Sequence, residues 1–259
     1  MKISVNCPSY KRAKDIKTID YLSFVNVWVD EAEAEEYKKY NPGAIIKTIP
    51  SNINGNIARV RNYILDSEFN NGIDAVCFVD DDLKGIYRYE VEDGFGYKEV
   101  KVEEYEFMDF LNKYSLLCKE FGFKMWGVNL NYDRLSFRYS VPFSTTSVVL
   151  GPFSVQFKSD IRYDENIPLK EDYDLAISHI NKYRGILRVN AYHYICNQSN
   201  MAGGCSNYRN REIEEKQFNY LQKKWGNKIV KRDKSKKTKD KVKAYNDYNP
   251  IIKIPIKGI

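Results

Sequence analysis

Asp80, Asp81 and Asp82 directly follow the apolar run Ala75-Val76-Cys77-Phe78-Val79. A short run of strand-forming residues ending in three acids suits a buried parallel strand that delivers carboxylates to a site. Carboxylates this close repel one another unless a cation compensates them. Oxygen ligands favour Mg²⁺ or Mn²⁺, ions that complete their shells with water and substrate phosphates. A charged turn or a helix start would also carry acids, so metal–phosphate chemistry needs support from elsewhere in the chain. A second acidic pair, Glu171-Asp172, opens a stretch with helical spacing through about Tyr183. There a carboxylate can serve as a base or simply favour the helix dipole.

Elements that would position these residues alternate along the first half of the chain. Strand patterns cover Ile3–Cys7, Phe24–Val29, Ala44–Thr48 and Ala75–Val79. Between the last two, Asn56–Asp66 reads as a helix with Asn56 as N-cap and Ile57, Val60, Ile64 and Leu65 on one face. This alternation predicts an α/β layer fold with a mostly parallel sheet, in which ligands sit at the carboxyl ends of strands. Pro8, Ser9, Tyr10 and Arg12 follow the first strand end, and Asp30 closes the second. The alternative role for Asp30 is to cap a helix at Glu31-Ala32-Glu33, and that for Arg61-Asn62 is an exposed helix face.

Further on, residues 87–101 suit a hairpin or flap around Asp93-Gly94-Phe95-Gly96. A helix is expected over Glu104–Phe121 and strands between Trp126 and Phe157. A strand follows over Gly185–Cys196, then a helix near Glu212–Trp225 and an extended tail at Ile251–Ile256. The aromatic residues Phe95, Phe137, Tyr139 and Phe143 would press on an acceptor or fill the core.

Taken in order, these motifs resemble a glycosyltransferase of the GT-A type. The resemblance rests on Pro8-Ser9-Tyr10-Lys11-Arg12, Asp30, Ala58-Arg59-Val60-Arg61-Asn62, Val79-Asp80-Asp81-Asp82 and Glu171-Asp172-Tyr173-Asp174-Leu175. More narrowly, the chain resembles the TET-associated DNA glycosyltransferases of phages. Asn197-Gln198-Ser199-Asn200-Met201-Ala202-Gly203-Gly204, the basic tail and Asn249-Pro250-Ile251-Ile252 carry that narrower likeness. The resemblance implies a Rossmann-like GT-A core over residues 1–205, with a mixed, mostly parallel sheet flanked by helices. Its nucleotide-sugar half would span about 1–85 and its acceptor half about 86–205, with 206–259 as a C-terminal extension.

The same resemblance implies a nucleotide-sugar donor, UDP-linked, and Mn²⁺ or Mg²⁺ as cofactor. Asp80 and Asp82 would hold the metal, with His193 as a third ligand. Pro8, Ser9, Tyr10, Arg12, Asp30, Arg61, Asn62, Asp80 and Asp81 would bind the donor. Asp172, with Glu171 second, would be the base of an inverting transfer to the hydroxyl of a 5-hydroxymethylated pyrimidine in DNA. A saccharide, lipid or protein acceptor, or a degenerate domain that only binds DNA, are the alternatives.

Charge supports the nucleic-acid partner. Residues 223–243 hold eleven Lys/Arg against two Asp, a net +9, which leaves the remainder of this +6 chain at −3. Lys223, Lys224, Lys228, Lys231, Arg232, Lys234, Lys236 and Lys237 are the expected contacts to DNA phosphates. A membrane surface is disfavoured, because Lys231–Lys243 lacks apolar residues at helical spacing. The five cysteines are scattered without CxxC pairs, and no apolar stretch is long enough to span a bilayer. The composition therefore predicts a cytoplasmic protein with reduced thiols, of open oligomeric state.

Overall fold

The computed structural model describes residues 1–92, 96–130, 137–196, 204, 209–233 and 248–256. Its first half runs β1 (Ile3–Pro8), α1 (Thr18–Tyr21), β2 (Asn26–Asp30), α2 (Ala34–Tyr40), β3 (Ile45–Ile49), α3 (Ile57–Asn70) and β4 (Ala75–Val79). Next come β5 (Leu83–Glu92), β6 (Gly96–Lys101), α4 (Glu104–Glu120), β7 (Met125–Asn129), β8 (Phe143–Ser144) and β9 (Phe153–Phe157). The last elements are α5 (Glu171–Tyr183), β10 (Leu187–Cys196), α6 (Arg211–Trp225), β11 (Val230–Arg232) and β12 (Pro250–Ile252).

Ten strands form one sheet in the order β3-β2-β1-β4-β9-β7-β10-β5-β6, with β8 on β10. β1 pairs in parallel with both β2 and β4, and β2 with β3. β7 and β10 form a further parallel pair. Only β9, β5 and β8 run against the rest among the described residues. The sheet is thus mixed and mostly of one direction, as the strand patterns predict.

Burial on both faces explains the uninterrupted apolar character of β4. Ala75, Cys77 and Val79 face the cluster that holds Phe107, Phe110 and Leu111 of α4. Val76 and Phe78 face Val60 and Ile64 of α3 and Leu175 and Ile180 of α5. The two helix layers are therefore sorted by the two-residue period of the strand.

Where β7 crosses β9, the layers are close enough to demand glycine. A Cβ on Gly127 would stand 2.2 Å from Val149 Cγ1 and 3.0 Å from the Phe153 carbonyl oxygen. Gly127→Ala is expected to destabilise by about 1–3 kcal/mol, the usual range for an overpacked core. A thermal melt would show it as a fall of at least about 2 °C.

The C-terminal segment packs on this core. Phe218 and Leu221 of α6, Val230 of β11 and Tyr248 bury against Ile167 and Ile177. β11 and β12 pair as a separate two-stranded ribbon. Beyond it, Ile254 and Ile256 reach the α3–α5 cluster, so the expected extended tail does lie against the body. No helix among the described residues is long and apolar enough to cross a membrane.

Candidate active site

The strand order reverses between β2 and β4 on either side of β1, which opens a crevice beyond their carboxyl ends. Ser9 and Arg12 follow β1 there, and Asp80–Asp82 follow β4. The acidic turn is pinned from below by α1. Thr18 Oγ1 donates to the Asp80 carbonyl and accepts from Leu83 N at 3.1 Å, while Lys17 N donates to the Asp81 carbonyl at 2.8 Å. Asp80 N donates to the Pro152 carbonyl at 3.1 Å, which ties the turn to the start of β9.

The three carboxylates have three different environments. Asp81 is internal: its Oδ2 accepts from Ser9 Oγ at 2.7 Å and its Oδ1 is ion-paired with Arg12. Asp80 Oδ1 accepts from Arg61 Nη2 at 2.9 Å. Asp82 has no ion pair among the described residues. Burial and the charges of Asp80 and Asp81 push its carboxyl up to about 6. Burial, followed by these same acids, also pushes the Cys7 thiol up.

Arg61 is the pivot of the site. It is 4% exposed, packed against the rings of Phe78 and Tyr163, and its Nη1 donates to Glu171 Oε1 at 2.9 Å. The helix face carrying it is therefore buried, because α5 and residues 161–169 cover α3 on that side. One guanidinium thus joins the end of β4 to the start of α5. Burial and the neighbouring Asp172 charge nevertheless hold the Glu171 carboxyl above its ordinary range.

Asp172 is more open than Glu171. Its Oδ2 accepts from Gly151 N at 3.0 Å and its Oδ1 from Tyr173 N at 2.8 Å. Burial raises its carboxyl, while Arg61, these N–H groups and Lys170 pull the other way. Such a carboxylate is fixed in orientation and more basic than a solvated one, which suits a general base.

These side chains line one cavity of about 540 Å³, together with Pro8, Tyr10, Tyr194 and Gly204. Gly204 adopts φ +54°, and a Cβ there would lie 3.1 Å from Arg12 Nη2. Its N–H donates to the Tyr10 carbonyl at 3.0 Å, so its backbone presses directly on the segment after β1.

Three expected site residues stand elsewhere. His193 does not line the cavity: it is fully buried, stacked on Tyr87 and packed against the tilted Tyr89 ring, with Nε2 3.7 Å from Glu99. The reason is register. β10 runs antiparallel to β5, so His193 faces Tyr87 while Cys196 faces Leu83, next to Asp82. Asn62 points to the 163–165 loop, donating to the Tyr163 carbonyl and accepting from Tyr163 N. Asp30 Oδ1 accepts from Ala32 N at 2.9 Å and from Ser51 Oγ, so it caps the 3-10 turn Glu31–Glu33 outside the cavity lining.

Sequence reasoning missed Cys196, Tyr194, Lys170, Arg209, Glu214 and Asn249. All but Cys196 and Lys170 line the cavity; Cys196 lies opposite Leu83, beside Asp82, and Lys170 binds Glu214. The basic candidates divide. Lys223, Lys228, Lys231 and Arg232 are exposed, with Arg232 over the Tyr248 ring. Lys224 is ion-paired with Asp164 and Asp174 at 2.8 and 2.9 Å, which draws it away from a partner. Lys234, Lys236 and Lys237 lie outside the described residues, as does Phe95. Phe137 stacks on Tyr89 in the interior, whereas Tyr139 is exposed.

A family model, that of the TET-associated glycosyltransferases, matches residues 3–204. No curated protein matches the chain by sequence. Among solved structures, S. aureus TarS 1–349 in complex with UDP aligns with a TM-score of 0.46 and 16% identity, over 75% of this chain and 59% of that one. This chain therefore spans less than two thirds of that fragment. A cytidylyltransferase from Leptospira borgpetersenii serovar Hardjo-bovis aligns with a TM-score of 0.40 and 11% identity, over 84% and 86% of the two chains.

Proposed function

The chain belongs to the TET-associated glycosyltransferase family, and from that premise we propose the reaction its cavity performs: transfer of a sugar from a UDP-sugar to the hydroxyl of a 5-hydroxymethylated pyrimidine in DNA, with inversion. It is a glycosyltransferase of GT-A fold. The observation that carries the finer reading is the meeting, in one cavity, of the acids at 80–82, the guanidiniums of Arg12 and Arg61, and Asp172.

Transfer requires a nucleoside diphosphate to leave with its charge neutralised. Asp82 is a buried carboxylate without an ion pair among the described residues, and Asp80 stands beside it. That donor set fits a hard divalent ion held by Asp82 and Asp80, with water and diphosphate oxygens supplying the remaining ligands. His193 has no part in this reading, because it is buried against Tyr87 outside the cavity lining. Mn²⁺ or Mg²⁺ so held would act as a Lewis acid on the leaving diphosphate.

The protein's own part is to bind, orient and take a proton. Arg12 and Arg61 border the donor end, and Ser9 and Asp81 brace Arg12. At the start of α5, Asp172 is held by Gly151 N and Tyr173 N to receive the proton of the acceptor hydroxyl. The attacking oxygen then gains charge as the anomeric carbon takes on oxocarbenium character. A 5-hydroxymethyl group suits this geometry because it projects into the major groove, beyond the paired edge of the base.

The exposed cations Lys223, Lys228, Lys231 and Arg232 support a polyanionic acceptor. Neutralising these four is expected to weaken duplex binding at low salt and to flatten its salt dependence. The log–log slope should fall by up to about 0.9 for each phosphate that is no longer neutralised. Fluorescence anisotropy over a salt series checks this, and an unchanged slope removes these residues from the interface.

The reaction itself is tested by following UDP release from a panel of UDP-sugars with Mn²⁺ and either plain or hydroxymethylated duplex. Release that depends on the hydroxymethyl group is expected. Release that is equal with both duplexes would discard this acceptor.

A further inference from the structure

Lys170 is the N-cap of α5, yet its side chain makes no capping bond to that helix. A cation at a helix N-terminus opposes the dipole, and lysine is a poor N-cap. It is also 1% exposed, and its partner Glu214 is equally buried. Burying an ion pair costs more desolvation than a packed apolar pair would, so stability does not account for these residues.

Their surroundings do. Lys170 Nζ is ion-paired with Glu214 of α6 and donates to Asn249 Oδ1 at 3.3 Å. Glu214 also accepts from Arg209 Nε at 3.0 Å, and Leu169 N donates to Gln217 Oε1 at 2.7 Å. Farther along the same two helices, Trp225 Nε1 donates to Asp174 Oδ1 at 2.7 Å. The segment immediately before Glu171-Asp172 is thus gripped by Glu214, Gln217 and Asn249, and Arg209, Glu214 and Asn249 also line the cavity. All of them lie beyond residues 3–204, the span matched by the family model.

We propose that Lys170 and Glu214 are a positioning pair for the transfer reaction. By anchoring Lys170 to the C-terminal segment, Glu214 fixes the first turn of α5, so the Asp172 carboxylate is aligned only when that segment is docked. The inference rests on Asp172 as the base. It makes α6 and Asn249 part of the catalytic apparatus.

The charged and titratable groups around Asp172 are Arg61 of α3, Lys170, Glu171 and Tyr173 of α5, Tyr194 of β10 and Asp80 after β4. Within this set Lys170 favours the Asp172 anion, and Glu214 compensates Lys170. Glu214→Gln should therefore move the acid limb of kcat to lower pH, and Lys170→Met should move it to higher pH. Both should lower kcat by about 10-fold to 100-fold through misalignment, with KM for the UDP-sugar within about twofold.

A merely structural pair would lower melting temperature and donor affinity together, and would not shift the two limbs in opposite directions. Asn249→Ala, a change at an exposed residue, provides the same kcat-against-KM test should the buried variants fail to fold. Opposite limb shifts, or a selective kcat loss in Asn249→Ala, support the pair. Wild-type transfer with unmoved limbs and unchanged kcat in the variants overturns it. Absence of transfer by the wild-type enzyme on every duplex would instead count against the proposed function.

Discussion

Asp172→Asn is expected to lower kcat by about 10²–10⁴, the range lost with a general base, while leaving KM for the UDP-sugar almost unchanged. The side chain has little else to lose. Asparagine keeps one oxygen to accept from Gly151 N or Tyr173 N, so the α5 start retains part of its anchoring. What disappears is the anion that, on the proposed mechanism, receives the acceptor proton. In the wild type, burial holds this carboxyl above its usual range, and a protonated carboxyl could not accept the proton. Activity should therefore fall as pH drops through a limb lying above that of a solvated aspartate. Glu171→Gln should be milder in kcat, since Glu171 is already committed to Arg61. Steady-state kinetics over a pH series checks both statements. A wild-type rate in Asp172→Asn would move the base elsewhere.

Arg61→Met is expected to damage both folding and turnover. It removes the cation that Asp80 and Glu171 share, and leaves the buried Glu171 carboxyl without its ion-pair partner. Breaking a buried pair from one side costs about 3–5 kcal/mol; about 3 kcal/mol is the better figure here, because Asp80 is partly solvated. For a chain of this size that is a fall of about 6–12 °C in melting temperature. The deficit should depend on pH. Glu171 is already raised in the folded state, and without Arg61 it rises further. The extra loss should thus be small below the wild-type folded value of about 8 and should grow as pH rises through it. Thermal melts at pH 6 and pH 9 measure this. Equal melting losses at both would mean that Arg61 acts through packing on Phe78 and Tyr163 alone.

Much of this site is legible in the sequence because local rules and tertiary context agree. Asn56 reads as an N-cap, and its Oδ1 does accept from Ala58 N and Arg59 N at 3.0 and 3.3 Å. The Ala75–Val79 run reads as a doubly buried strand, which fixes the acids at its carboxyl end. Glu171-Asp172 reads as a helix start for the same reason. Legibility ends where position depends on what covers an element. Arg61 looks exposed when only the Ile57, Val60 and Ile64 stripe is considered, yet α5 and the 161–169 stretch arrive from a hundred residues away to bury it.

The case of His193 shows a second limit. A late histidine beside acidic motifs suggests a ligand, but whether it reaches them depends on the β5–β10 register. That pairing brings Cys196 to Asp82 instead. Asp30 at its strand end has two duties open to it in the sequence, and its bonds to Ala32 and Ser51 match the capping one. The contribution of α6 to the cavity carries no local signal. Lys170, Glu214 and Asn249 are ordinary residues one by one and acquire meaning only through long-range packing.

The most direct test of the account is a transfer reaction run with wild-type enzyme and Asp172→Asn in parallel, with the DNA digested to nucleosides and weighed by mass spectrometry. Duplexes containing cytosine, hydroxymethylcytosine or hydroxymethyluracil would be incubated with UDP-sugars and Mn²⁺. The account predicts a single sugar-sized mass gain on a hydroxymethylated base with the wild type, none on cytosine, and almost none with Asp172→Asn. A mass gain that persists in Asp172→Asn, or that appears equally on cytosine, would contradict it.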